Sequence, residues 1–166
     1  FDDKAALAAI EKTFGAIPKP ARVLQPSYTI EPVQDGERAV TLRRNGDVHV
    51  FGAAYHTVGA ASPDYPAVQA AIDVLVRKPS GALYKKLVEA KLAASVVGYQ
   101  NLFRDPFLAQ FSAMIRDGKN LDRVEQIMLA EIEKLGASKI DDREVERWRA
   151  ATLKDLELTM ANSEDI

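Results

Sequence analysis

Ser95-Val96-Val97-Gly98-Tyr99-Gln100, followed after a short link by Phe107-Leu108-Ala109-Gln110-Phe111-Ser112-Ala113-Met114-Ile115-Arg116-Asp117-Gly118, is the stretch on which the fold turns. In its second half Phe107, Ala109, Phe111, Ala113 and Ile115 alternate with Leu108, Gln110, Ser112, Met114 and Arg116. A period of two is the mark of a strand, and Asp117-Gly118 is a turn signal at its end. Strands are expected at 94–103 and 107–116.

Helical periods lie on both sides of this pair. Upstream, 65–77 carries Val68, Ala71, Ile72 and Leu75 at helical spacing, with Asp64 as the expected cap and Pro66 in the first turn. A second helix is expected at 81–91, capped by Ser80, with Leu83, Leu87 and Ala90 inward. Downstream, 121–135 has Leu121, Val124, Ile127, Met128, Ile132 and Leu135 as its stripe and Gly136 as its C-cap. A last helix is expected at 142–160. Asp141 and Glu144 would form its capping box, and Val145, Trp148, Thr152, Leu153 and Leu156 its inward face. Before all of these, 37–44 and 47–56 read as two strands around Asn45-Gly46, the dipeptide suited to a tight hairpin turn. The resulting order ββααββαα predicts an α+β fold, an antiparallel sheet backed by helices.

The first 36 residues read differently. Residues 2–14 suit a helix with Ala6, Leu7, Ile10 and Phe14 on one face and Gly15 at its end, so 1–15 is expected to close a preceding domain. Four of the chain's eight prolines, 18, 20, 26 and 32, fall in 16–36, which reads as an extended linker. Residues 37–166 would be the main domain. The chain starts at Phe1 without an initiator methionine and stops just past a helical stretch without a stop signal, so it is expected to be a piece of a longer polypeptide.

Composition excludes several chemistries. With no cysteine there is no disulfide framework, thiolate zinc site, iron–sulfur cluster or cysteine nucleophile. Lysine and arginine total 22 against 24 acids, a formal charge of −2, which gives no support for nucleic-acid binding or a charged membrane surface. No apolar run approaches the ~20 residues of a membrane span.

Few residues carry a catalytic signature. The two histidines, His49 and His56, lie seven apart on one expected strand and so on opposite faces, and neither has the glutamate spacing of a zinc helix motif. Ser80 sits in no nucleophile elbow and is better read as a cap. The charged run 141–149 reads as a solvated helix face with i, i+3 pairs Glu144–Arg147 and Glu146–Arg149. From the residues alone the reading stops at an α+β domain, with a serine–histidine–acid triad left open because its members need only meet in space.

The residues also carry a resemblance. Ala54-Tyr55-His56, then Asp64-Tyr65-Pro66-Ala67-Val68, then Ser80-Gly81-Ala82-Leu83-Tyr84-Lys85-Lys86-Leu87-Val88-Glu89, then Leu92-Ala93-Ala94-Ser95-Val96 follow one another in the order seen in the pitrilysin/insulinase family of zinc metallopeptidases. Ala9–Pro18, Glu37–Arg44 and Glu157–Glu164 are similar to the same family, so the likeness covers essentially the whole chain. It resembles the second domain of one half of such an enzyme. It implies an antiparallel sheet with helices and a parent that cleaves peptides with zinc-activated water and a glutamate base. The zinc motif HxxEH, which belongs to another domain of the family, is absent here. An arginine and a tyrosine seven residues later, which the family uses to hold substrate and oxyanion, correspond to Val88 and Ser95. The resemblance therefore implies a non-catalytic domain with no catalytic, metal or cofactor residues, zinc being needed only by the parent. Its partners would be the other domains of the same polypeptide and the parent's peptide substrates, around a chamber whose wall it helps form. The family suggests a periplasmic or secreted location. A degenerate homologue serving as a structural or assembly subunit, and an unrelated α+β ligand-binding module, are the competing expectations. If family elements lie beyond Ile166, the sheet should keep an open edge.

Overall fold

The inward residues of one strand, β3 (Phe107–Ile115), define the architecture of this computed structural model. The structure describes residues 2–23, 33–137 and 140–162. β3 pairs antiparallel with β1 (His49–Thr57) on one side and with β2 (Ser95–Gln100) on the other, giving a three-stranded sheet in the order β1-β3-β2. Ala109, Phe111, Ala113 and Ile115 are buried on its inner face. Against them pack helix α2 (Tyr65–Val76) through Ile72 and Leu75, helix α3 (Leu121–Lys134) through Val124 and Met128, and Leu83 and Leu87 of the segment between α2 and β2. This is the expected α+β arrangement. Each fully buried leucine or isoleucine here contributes about 1.5–3 kcal/mol.

The chain divides into two units, residues 1–43 and 44–166. In the first, α1 (Asp3–Phe14) starts where Asp2 Oδ1 accepts hydrogen bonds from the Lys4 and Ala5 amides at 2.9 and 3.2 Å, and none of its residues is buried. The other elements belong to the second unit, together with α4 (Asp142–Ala161).

Four sequence expectations are corrected. Residues 37–44 form no strand, so the order ββααββαα loses its first member. Only Val40 and Leu42 are apolar at alternating positions among Glu37, Arg38, Arg43 and Arg44, too little surface to fix a strand. Neither Asn45 nor Gly46 has the positive φ that the hairpin turn requires. The segment after Ser80 winds as a π-helix over Tyr84–Glu89 instead of an α-helix. Its wider i→i+5 winding keeps Leu83 and Leu87 fully buried but carries Ala90 out to solvent. Asp64 stands at the start of α2 with φ −82° and ψ −10°, a helical conformation from which its carboxylate makes no cap hydrogen bond. In α4 no residue is buried, and Leu153 and Leu156 are half-exposed. At 20 residues α4 is about 30 Å long, whereas the 12-residue α2 beside it covers about 18 Å, so the last turns of α4 run past their support.

Two glycines allow close packing. A Cβ on Gly98 would stand 2.9 Å from the Phe111 ring and 3.0 Å from Ile72 Cγ2, and one on Gly81 would stand 2.6 Å from the Leu75 carbonyl oxygen. Leu87→Ala is expected to lower unfolding stability by about 2–5 kcal/mol and Gly98→Val by about 1–3 kcal/mol. Leu156→Ala should change it by less than about 0.5 kcal/mol. Urea unfolding monitored by circular dichroism checks all three.

Candidate functional site

The π-helical segment and the strand after it hold the two positions at which the resemblance expects an arginine and a tyrosine. The segment is closed at its end by backbone bonds from the Lys91, Leu92 and Ala93 amides to the carbonyls of Val88, Leu87 and Leu87, at 3.0, 2.9 and 2.9 Å. Lys91 takes φ 61° in this reversal. Val88 is partly buried and packs on the core. Ser95, pairing with Met114, starts β2 on the opposite side of the sheet from the buried Val96. An aliphatic side chain facing the core and a short hydroxyl on the outer face present neither a cation nor a phenol to a developing oxyanion.

The histidines stay apart. They pair with Ile115 and Leu108 of β3, seven residues from each other and so roughly 23 Å along the strand at ~3.3 Å per residue. His49 lies against Gly118, where an added Cβ would stand 2.8 Å from its Nε2. Among the described residues no three histidine, aspartate or glutamate side chains lie close enough to hold a metal ion. A catalytic zinc needs three protein ligands, and the described residues do not bring three together.

Ser80 has another use than the expected helix cap. Its Oγ donates to Glu144 Oε2 at 3.1 Å, across 64 residues. Glu144 also accepts from Arg147 Nη1 at 2.8 and 2.9 Å. Its carboxylate is therefore turned away from the capping box expected with Asp141, whose Oδ1 alone caps α4 by accepting from the Arg143 amide at 2.9 Å. Glu146 and Arg149 approach to 3.6 Å as an exposed pair. The Ser80 contact ties the start of α4 to the loop before the π-helix, a structural role.

Two surfaces remain that the sequence pattern did not single out. One is a cleft of about 330 Å³ between α2 and α4, lined by Tyr65, Pro66, Gln69, Trp148 and Thr152. Gln69 Nε2 donates to Tyr65 Oη at 3.0 Å and to the Gln100 carbonyl at 3.3 Å. The other is the outer face of the sheet. The register places Val50, Met114 and Ser95 in one row across the strands, then Gly52, Ser112 and Val97. Ala54, Gln110 and Tyr99 follow, then His56 beside Leu108. None of these eleven residues is an acid, a lysine or an arginine. Val50, Val97, Tyr99 and Met114 are 61, 49, 47 and 46% exposed. The signal for this face was in the alternation itself, once the inner positions were known.

Residues 1–152 match the family model described as the peptidase M16 inactive domain. Two Bordetella structures described as putative zinc proteases are similar. The inactive peptidase domain from Bordetella parapertussis shares 36% identity at TM-score 0.64, over 76% of this chain and 67% of that one. The Bordetella pertussis Tohama I structure shares 32% at TM-score 0.64, over 75% and 69%. A protease from Helicobacter pylori matches in fold at TM-score 0.87 and 21% identity, over 99% of this chain but 41% of its own length. No curated protein matches. With the family model spanning nearly the whole chain and the inactive-domain fold beneath it, this chain belongs to the M16 peptidases, the pitrilysin/insulinase family, as one of their inactive domains.

Proposed function

We propose that this domain supplies scaffold and chamber wall to a pitrilysin-like zinc endopeptidase whose metal and general base reside on another domain of the same polypeptide. One observation carries the reading. The two positions at which a substrate-gripping domain of the family would present an arginine and a tyrosine hold Val88, which packs on the core, and Ser95. What this reading leaves the chain to offer a peptide is a surface, and the face of its sheet opposite α2 and α3, whose rows hold no acid, lysine or arginine, is the part suited to that. The helices cover the other face and hold the sheet rigid behind it. Zinc enters the proposal only for the parent, because the histidines here are too far apart to share an ion.

A structural subunit of a larger assembly would lack the same arginine and tyrosine. The two readings part at the coding sequence upstream of Phe1. An HxxEH about one domain earlier selects the peptidase, and its absence selects the subunit.

On the isolated chain, metal analysis after dialysis is expected to find far less than one zinc per chain, and fluorogenic peptides are expected to stay intact. A stoichiometric ion, or cleavage that survives the double substitution His49→Ala and His56→Ala, would defeat the proposal. Val88→Arg is expected to cost about 1–3 kcal/mol, since it forces a charge against the apolar core, and to create no peptidase activity. Denaturant unfolding together with the same peptide assay reads both.

A further inference from the structure

The cleft between α2 and α4 holds two polar groups whose roles the hydrogen bonds fix. Gln69 Nε2 donates to Tyr65 Oη at 3.0 Å and to the Gln100 carbonyl at 3.3 Å. A carbonyl oxygen only accepts, so the nitrogen end of the Gln69 amide must be the one that meets Gln100. Both Nε2 hydrogens are then spent, and Oε1 is left as an acceptor. Tyr65 Oη accepts from Gln69, so its own O–H remains a donor. Among the described residues neither Gln69 Oε1 nor the Tyr65 hydroxyl hydrogen has a partner. The two oxygens lie within about 5.6 Å of each other, because the bonds of an amide are only ~1.23 and ~1.33 Å long. Gln100, which anchors this pair, is 7% exposed and donates through its own Nε2 to the Val58 carbonyl. The donor and acceptor in the cleft are thus tied to the interior, not free to swing in water.

The rest of the lining is aromatic and apolar: Trp148 from α4, the Tyr65 ring, Pro66 in the first turn of α2, and Thr152. An apolar wall with a few placed polar groups is the pattern of a small-molecule site, and the cleft's volume of about 330 Å³ is of that size. Residues 65–69 and 148–152 span about 6 Å of each helix, room for one ring and its substituent but not for a folded surface. One O–H donor beside one carbonyl acceptor is matched by a group that accepts and donates from adjacent atoms. A carboxamide does this: its oxygen takes the Tyr65 hydroxyl hydrogen and its N–H goes to Gln69 Oε1. An ester leaves Oε1 unpaired, and an ammonium leaves the Tyr65 O–H unpaired. A carboxylate sets its charge beside Oε1 with no lysine or arginine in the lining to meet it. The indole of Trp148 suits a flat aromatic ring.

We propose that this cleft binds a free, neutral aryl carboxamide, its ring against Trp148 and its amide held by Tyr65 and Gln69. The site goes beyond the scaffold role proposed above and does not depend on it.

The test titrates the nitrogen-15-labelled 166-residue chain with benzamide, methyl benzoate and benzoate, and follows the indole N–H resonance of Trp148 by NMR. Benzamide is expected to shift it saturably and to bind at least about fivefold more tightly than the ester or the acid. Tyr65→Phe, which keeps the ring, should weaken benzamide by about fivefold or more. Gln69→Leu should bring benzamide down to the level of methyl benzoate and leave methyl benzoate within about twofold. Thr152→Phe fills the cleft from an exposed position of α4 and should abolish the saturable shift with all three. If Tyr65→Phe or Gln69→Leu loses the wild-type circular dichroism spectrum, Thr152→Phe carries the test. Four results would overturn the proposal: no saturable shift up to the solubility of benzamide, equal affinity for benzamide and methyl benzoate, benzamide binding untouched by Tyr65→Phe in a folded chain, or a concentration-dependent dimer by sedimentation that Thr152→Phe dissolves, which would make a second copy the occupant. Each leaves the scaffold reading standing, since that falls only to zinc or turnover on the chain.

Discussion

Among the described residues every strand pairing passes through β3. β1 and β2 never meet, so the sheet exists only as far as β3 holds both. Its inner side chains do the holding on the helical side. Ala109 and Ala113 are small and Phe111 and Ile115 large, and the helices and the π-helical segment fit that relief with Ile72, Leu75, Leu83, Leu87, Val124 and Met128. The Phe111 ring in turn fills the space that Gly98 leaves on β2. Close packing of this kind makes the strand's identity depend on its neighbours, and theirs on it.

The same alternation that buries one side of β3 presents the other. A strand cannot orient Phe111 and Ala113 inward without turning Gln110, Ser112 and Met114 outward. Core and outer surface are thus two readings of one backbone. That coupling is a property of the backbone itself. It needs no strained loop or buried charge, only a sheet stiff enough to keep its outer rows in register. Val88, partly buried, packs on the same core.

Much of this was legible from residue order. β3, α3 and the Leu83–Leu87 pair followed from periods of two and of helical spacing, because in each the pattern spans enough residues to dominate local preferences. Residues 37–44 misled because Asn45-Gly46 signals a turn whose strands must still earn their place by burial. The π-winding after Ser80 and the Ser80–Glu144 contact were invisible because each depends on partners far along the chain, 64 residues away in the second case. α4 was overread because a stripe shows which face is apolar, not how long the neighbour beneath it is. For the site, the expectation at Val88 and Ser95 came only from a family pattern, whereas the uncharged outer rows needed the register of three strands.

Trp148 is the chain's single tryptophan, and it stands in the cleft between α2 and α4. Its indole therefore acts as a built-in optical gauge of one joint. No residue of α4 is buried and Trp148 is only partly covered, so a loosening of this helix from α2 would change the indole's surroundings without touching the core under the sheet. Emission colour would then register the parting of that last helix separately from the collapse of the domain, dividing peripheral loosening from global melting in one unlabelled molecule.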